Sequence, residues 1–213
     1  GRRFPVGSVE TKKQVITPFR NLFTEKKYVF RAPLDEIYDF CVLEYSFALW
    51  QWGTEVSKSF LYGIGRRDIP AFLDVSDPSY FTCDSPNVSF FVQAARELGY
   101  YGYDIEPFRE YLSIKSSKHY LRRLMLPKEL RHMKFHKKLG RKIVNFLKDN
   151  DPKMIFIYGQ NDPWTAAGVT WLKGKKNVSV FVQPGGSHLA RISTLPESMR
   201  MHVISQIQKW LDE

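Results

Sequence analysis

The stretch of sequence that decides the fold runs from residue 154 to residue 188. It begins with Met154-Ile155-Phe156-Ile157-Tyr158, which leads into the polar turn Gly159-Gln160-Asn161-Asp162-Pro163-Trp164. Later come Val178-Ser179-Val180-Phe181-Val182 and the loop Gln183-Pro184-Gly185-Gly186-Ser187-His188. Short apolar runs that are rich in β-branched and aromatic residues and bounded by turn residues predict strands. The stretch therefore predicts two strands, with Asp162 just after the first and His188 just after the second.

The residues around these two strands predict a parallel α/β layer. A helical stretch is expected between the strands. A last helix is expected to start near Pro196, with an apolar face made of Val203, Ile207, Trp210 and Leu211. The order strand, helix, strand, helix is typical of parallel sheets. Two strands alone make a poor sheet, so further strands are expected to complete it.

The size and composition are those of an ordinary globular protein. The chain has 213 residues, of which 43% are hydrophobic and 25% charged, enough for one large or two small domains. No apolar run approaches the length of a membrane span, and the first five residues do not resemble a signal peptide. A chain that begins at Gly1 indicates a processed or engineered product.

The net charge of +10 comes from one segment. Residues 115–142 contain eleven Lys or Arg and one acid, Glu129. Such a segment can bind phosphates, but it more often forms a solvated helical face. We therefore expect no nucleic-acid binding and read this segment as one or two amphipathic helices, broken near Pro127.

No metal or nucleotide site is predicted. Cys41 and Cys83 allow one disulfide, but neither cysteine has the spacing of a zinc ligand set. Gly63 and Gly65 follow no predicted strand and lack a third glycine, which argues against a nucleotide loop. We expect no cofactor.

Residues 33–52 predict a long helix that is apolar on nearly every side. Pro33 suits its first turn and Gly53 its C-terminal cap. Its charged residue Glu44 either pairs with a Lys or Arg, points out at a gap in the packing, or lines a binding site. Trp50 and Trp52 are read as packing residues, with the lining of a pocket as the alternative.

The other regions upstream of residue 154 give weaker patterns. Residues 1–31 are expected to be irregular, with at most a short strand. Residues 85–99 predict a helix with Ser85 as its N-cap and Gly99 as its stop. The tyrosines at 100, 101 and 103 are read as packing between helices.

Asp162 and His188 fit two roles in a Ser–Asp–His triad. A serine hydroxyl becomes nucleophilic when an imidazole removes its proton, and a carboxylate holds that imidazole in the right tautomer. Each residue alone is more often structural, and the other four histidines are read as solvated. No G-x-S-x-G occurs in the chain; Ser46 lies in a predicted helix and Ser187 in a loop.

Three stretches resemble the PS-10 serine peptidases of the prolyl and tripeptidyl aminopeptidase type, in the α/β-hydrolase superfamily. They are IYGQNDPW at 157–164, PGGSH at 184–188, and FRAPLD at 30–35 with EYSF at 44–47. The resemblance covers most of the chain and is strongest in 28–53 and 154–211. It implies that Asp162 and His188 are acid and base, and that the protein is secreted or located in the cell envelope.

The resemblance also implies a division of the chain. Residues 1–152 would form a mostly helical lid, and residues 153–213 the last two parallel strands and final helix of an α/β-hydrolase core. Aminopeptidase lids supply an acid for the substrate's free ammonium group, and Glu44 is the candidate. The serine, the oxyanion hole and the first core strands are expected upstream, so this chain alone should not hydrolyse peptides.

Two other readings remain open. One is an esterase-type α/β-hydrolase that uses the same Asp162 and His188. The other is a non-catalytic protein that binds an acidic partner through the basic segment 115–142, with Asp162 and His188 in structural roles. This second reading predicts binding that weakens steeply with salt.

Overall fold

The structure is a computed structural model that describes residues 9–53 and 69–213. The described part of the chain divides into two compact units, one with residues 9–46 and 69–140 and one with residues 47–53 and 141–213. The helices and strands together make a mixed α/β protein. The glycines at 63 and 65 lie outside the described residues.

The α-helices of the described residues are α1 (Val9–Glu25), α2 (Leu34–Trp52), α3 (Ile69–Val75), α4 (Val88–Gln93), α5 (Lys138–Asp149) and α6 (Glu197–Leu211). The strands are β1 (Met154–Gly159) and β2 (Val178–Gln183). Helix α2 confirms the prediction for residues 33–52. It ends at Gly53, whose positive φ of 70° and N–H bond to the Leu49 carbonyl form the expected cap.

The first unit is built around an aromatic core. Phe19, Phe40 and Phe91 are fully or almost fully buried, together with Ile37 and Leu124. Helix α2 supplies much of this core because its apolar residues surround the helix and must be covered on all sides. Both cysteines are free thiols, Cys41 buried and Cys83 partly buried.

The expectation of irregular structure in residues 1–31 is wrong for residues 9–25, because α1 occupies Val9–Glu25; residues 1–8 lie outside the described part of the chain. Phe19 and Phe23, four residues apart, are both buried and lie 4.3 Å apart between ring centroids. Packing of such an i, i+4 aromatic pair onto the core stabilises the helix, although Pro18 inside it lacks the N–H group that would continue the helical hydrogen bonds.

Two other helix predictions are confirmed only in part. The helix expected from residue 85 begins later, at Val88, and continues through a π-helical turn, Ala94–Leu98, to Gly99. The basic segment contains a π-helical turn at Leu121–Met125 and a 3-10 turn at Lys128–Leu130 before α5 begins. Not all of its basic side chains are simply solvated, because the Arg122 guanidinium donates hydrogen bonds to main-chain carbonyls.

The second unit contains the predicted strand pair. β1 and β2 are parallel, with Met154 opposite Val178 and Gly159 opposite Gln183. Among the described residues the sheet has only these two strands. The turn after β1 is a 3-10 helix, Pro163–Ala167, where the sequence predicted a helical stretch.

Helix α6 confirms the predicted last helix, but Leu211, which was expected on its packing face, is the last residue of the helix and is 75% exposed. Pro196 is its N-cap and Val203 is fully buried. Its Gln206 accepts a hydrogen bond of 2.9 Å from Ser179 of β2, so the helix packs on the sheet as predicted. Within residues 9–53 and 69–213, no helix is both long enough and apolar enough to span a bilayer.

Candidate active site

The structure brings Asp162 and His188 together. Nδ1 of His188 lies 2.7 Å from Oδ2 of Asp162. The carboxylate side chain is only 6% exposed, whereas the imidazole side chain is 43% exposed. A buried acceptor on Nδ1 favours the tautomer that carries its proton there, which leaves the lone pair of Nε2 on the accessible ring.

The turn after β1 fixes the carboxylate. Asp162 is the N-cap of the Pro163–Ala167 turn, and its Oδ1 accepts the Trp164 N–H at 3.1 Å. With one oxygen on the main chain and the other on His188, the carboxyl group is held on both sides. The Asp-Pro sequence thus forms the cap expected of turn chemistry and also presents a carboxylate.

Residues 183–188, which we call the histidine loop, lie directly against the end of β1. The Asn161 N–H donates to the Gly186 carbonyl at 2.8 Å, and the Gln160 side chain accepts the Gly185 N–H at 2.8 Å. Gly185 has a positive φ of 63°, which favours glycine. These bonds tie the loop that carries His188 to the turn that carries Asp162.

The end of α2 also contacts the histidine loop, within the same unit. The His188 N–H donates to the Gln51 carbonyl at 2.7 Å, and the Trp52 ring lies 5.6 Å from the imidazole. The sequence favoured packing over pocket lining for Trp52. The structure instead leaves it 40% exposed, and no periodicity in the sequence could have shown its contact with a residue 136 positions away.

Glu44 lies in the first unit within a tyrosine cluster. Its Oε2 accepts hydrogen bonds from the hydroxyl groups of Tyr101, at 2.7 Å, and Tyr103. Burial raises the pKa of Glu44, and the two tyrosine hydrogen bonds only partly oppose that effect. The tyrosines therefore do more than pack between helices. Within residues 9–53 and 69–213, they bind the partly buried Glu44 carboxylate, and no Lys or Arg pairs with it.

Tyr120 also belongs to this tyrosine cluster. Tyr120 is 3% exposed, and its hydroxyl has no hydrogen-bond partner among the described residues. Its ring centroid lies 5.0 Å from that of Tyr103. The sequence placed Tyr120 in the basic segment, 17 residues from Tyr103, so the cluster arises only from tertiary packing.

The remaining candidate groups do not join Asp162 and His188. His202 lies in α6, where its ring lies 5.5 Å from Phe181. Ser187 uses its hydroxyl as an acceptor for the Leu189 N–H at 3.3 Å. The residues that the structure describes contain no group of three or more His, Cys, Asp or Glu side chains that could hold a metal ion.

Comparison with known proteins decides the family. The model of the PS-10 peptidase S37 family matches residues 12–212, nearly the whole chain. The chain belongs to this family. The PS-10 resemblance carried by the motifs around Asp162, His188 and Glu44 is thereby confirmed at the level of the family.

One curated relative has a named activity. This PS-10 chain is 31% identical over 67 residues to a prolyl tri/tetrapeptidyl aminopeptidase of Streptomyces mobaraensis. The match covers 30% of the chain and 14% of the relative, so it spans a small part of that protein's length. No solved structure matches the chain.

Proposed function

We propose that Asp162 and His188 are the acid and base of a Ser–Asp–His triad in a serine aminopeptidase. The observation that supports this most is the 2.7 Å contact between His188 Nδ1 and a carboxylate that is almost completely buried. Both residues follow parallel strands, which is where α/β-hydrolases place these two members of the triad. Membership of a peptidase family makes a peptide bond the expected substrate.

The proposed reaction uses His188 twice. Nε2 removes the serine hydroxyl proton while Oγ attacks the substrate carbonyl carbon, and the peptide nitrogen then leaves with that proton. Water then attacks the resulting acyl-enzyme while Nε2 of His188 removes a proton from this water, and Nε2 returns this proton to the serine Oγ as the bond between Oγ and the acyl group breaks. Asp162 stabilises the imidazolium in both halves without itself becoming protonated.

The nucleophile is proposed to come from outside these 213 residues, since the sequence contains no G-x-S-x-G. In this proposal, residues 153–213 are the last part of an α/β-hydrolase core and residues 1–152 are its helical lid. The partner of this chain is then the remainder of that core, and the chain alone is inactive. A secreted or envelope location remains the expectation from the resemblance.

Glu44 is proposed to bind the free N-terminal ammonium group of the substrate. The carboxylate is partly buried and its orientation is fixed by the hydroxyl groups of Tyr101 and Tyr103. A carboxylate with restricted solvation binds –NH3+ more strongly than a fully hydrated one and rejects a neutral acylated terminus. The surrounding tyrosine rings also favour a cation. The curated relative is named a prolyl tri/tetrapeptidyl aminopeptidase, which agrees with selection for a free N-terminus.

The triad is tested by kinetics on the product of the complete reading frame. His188→Ala should lower kcat for tripeptide anilides by about 10⁴-fold or more, while His202→Ala, on exposed α6, should leave it unchanged. Equal activities of the two variants would contradict the proposal.

The N-terminal selection is tested with paired substrates. Glu44→Gln should raise KM for anilides with a free amine but leave KM for the acetylated analogues unchanged. Glu36→Gln, in the same helix, is the matched control because Glu36 pairs with Arg123 instead. Cleavage of simple esters without cleavage of free peptides would favour the esterase reading.

A further inference from the structure

The imidazole of His188 needs more than Asp162 to keep one orientation. Nearly half of its side chain is exposed, so water competes with the Asp162 carboxylate for Nδ1. A single hydrogen bond at one ring atom also leaves the ring able to rotate about its side-chain bonds. Contacts elsewhere on the residue must therefore limit this rotation.

The main chain of His188 is held at both polar groups. Its N–H donates to the Gln51 carbonyl at 2.7 Å, and its carbonyl accepts from the Arg191 guanidinium at 3.0 Å. The Gln51 carbonyl belongs to the last turn of α2, where carbonyl groups have no partner within the helix. The His188 N–H thus provides a hydrogen-bond partner for a carbonyl at the end of α2. The same bond holds the histidine loop in place.

The helix and the loop also approach closely beside this bond. A Cβ atom on Gly53 would lie 3.1 Å from Cβ of Ser187, which is tighter than ordinary packing. Gly53 has a positive φ and caps α2, so the approach follows from how the helix ends. This places the adjacent residue, Trp52, against the loop.

Trp52 contacts the imidazole itself. Its ring centroid is 5.6 Å from that of His188, with 81° between the planes, a favourable geometry for aromatic pairs. Trp52 remains 40% exposed, so burial in a core does not account for its position. Its ring contacts an imidazole whose side chain is still 43% exposed.

We propose that Trp52, with the Gln51 carbonyl, is a positioning element that holds the His188 imidazole on Asp162 and aims Nε2 at the nucleophile. In this role Trp52 contacts neither the substrate nor the reacting atoms, and it acts only through His188. Its effect on catalysis rests on the proposed function. Its effect on the orientation of the ring does not.

The test separates these two effects with Trp52→Leu, Trp52→Phe and Trp50→Leu. Trp50 is the matched control: it is 55% exposed, and residues two apart on a helix do not share a face. Imidazole ¹⁵N chemical shifts of His188 report its tautomer in the 213-residue chain. Steady-state kinetics of the complete protein report kcat and KM, and thermal melts report folding.

The expected result is a clear gain of the Nε2–H tautomer in Trp52→Leu, with most of the Nδ1–H form retained in Trp52→Phe and Trp50→Leu. In the complete enzyme, kcat should fall about 10-fold in Trp52→Leu with KM nearly unchanged, and Trp52→Phe should restore most of it. An unchanged tautomer ratio in Trp52→Leu, or an equal change in Trp50→Leu, would overturn the inference. A shifted tautomer with unchanged kcat would support the inference and count against the proposed function.

Discussion

Gly159 lies so close to Ser187 that a Cβ atom on Gly159 would overlap the Ser187 carbonyl oxygen. Gly159 is the last residue of β1, and Ser187 precedes His188 in the loop after β2. The contact is between main-chain atoms, so no side chain can move aside to relieve it. The short distance from Asp162 to His188 therefore depends on glycine at the end of the strand.

Gly159→Ala should separate the histidine loop from β1. We expect a loss of about 1–3 kcal/mol of folding free energy from the added carbon and about a 100-fold fall in kcat from the displaced imidazole. Chemical denaturation and tripeptide anilide hydrolysis measure the two effects.

Gly140→Ala is the control for Gly159→Ala. Gly140 lies in α5, and a Cβ there would meet nothing within 4 Å. The substitution should stabilise the protein by about 0.5–1 kcal/mol, because alanine favours a helix more than glycine does. If Gly159→Ala were as stable and active as Gly140→Ala, the close approach would have no part in the site.

Asp162→Asn should abolish most activity and leave the fold intact. Asparagine can still cap the Trp164 N–H, but its neutral amide no longer stabilises the imidazolium or selects its tautomer. The expected fall in kcat is about 10⁴-fold, with a stability change well below the roughly 1 kcal/mol that loss of the cap in Asp162→Ala would cost.

Asp77 provides the matched variant. Its carboxylate caps a 3-10 turn, Pro78–Phe81, through the Ser79 N–H in the same way. Asp77→Asn should leave kcat unchanged. A comparable loss of activity in Asp77→Asn would mean that the cap, and not the contact with His188, determines the effect.

Glu44→Gln should stabilise the fold at neutral pH but not in acid. Burial raises the pKa of Glu44, so the folded protein binds this proton more tightly than the unfolded chain. The stability that this group contributes is present below the ordinary carboxyl pKa and is lost as pH rises through the raised pKa. The variant, which cannot ionise, should melt higher than the wild type above that range and equally below it. A melting-temperature difference that did not depend on pH would contradict this.

Arg122→Met should weaken the first unit. The guanidinium donates to the carbonyls of Ala95 at 2.6 Å, Met133 at 2.7 Å and Arg131 at 3.3 Å, which the variant leaves without these bonds. We expect a loss of about 2–3 kcal/mol in urea denaturation. Arg109→Met, which removes an exposed pair with Glu106, should have no measurable effect. Equal effects would show that Arg122 is merely part of the solvated basic face.

Local patterns in the sequence predicted the elements that carry the site. The apolar runs at 154–158 and 178–182 became the parallel pair, and the Pro33 and Gly53 signals bounded α2. Asp162 and His188 were predicted to meet because each follows a strand of one parallel layer. Such features depend on periodicity and turn chemistry, which the sequence displays directly.

Features that depend on tertiary packing were not predictable in this way. The tyrosines that hold Glu44 lie 57 and 59 residues from it, and Trp52 reaches His188 across most of the chain. Helix α1 was missed because its buried pair, Phe19 and Phe23, stands among Lys and Arg residues that resemble a solvated segment. In each case the deciding partner is far away in the sequence.

The most direct measurement of the central claim is labelling with a fluorophosphonate, followed by intact mass. The product of the complete reading frame should gain one adduct, the 213-residue chain none, and the adduct should disappear in His188→Ala. This result would place the nucleophile outside the chain and His188 beside it. An adduct on the 213-residue chain would contradict the claim that the nucleophile lies elsewhere. Labelling that His188→Ala left unchanged, or no labelling at all, would contradict the triad.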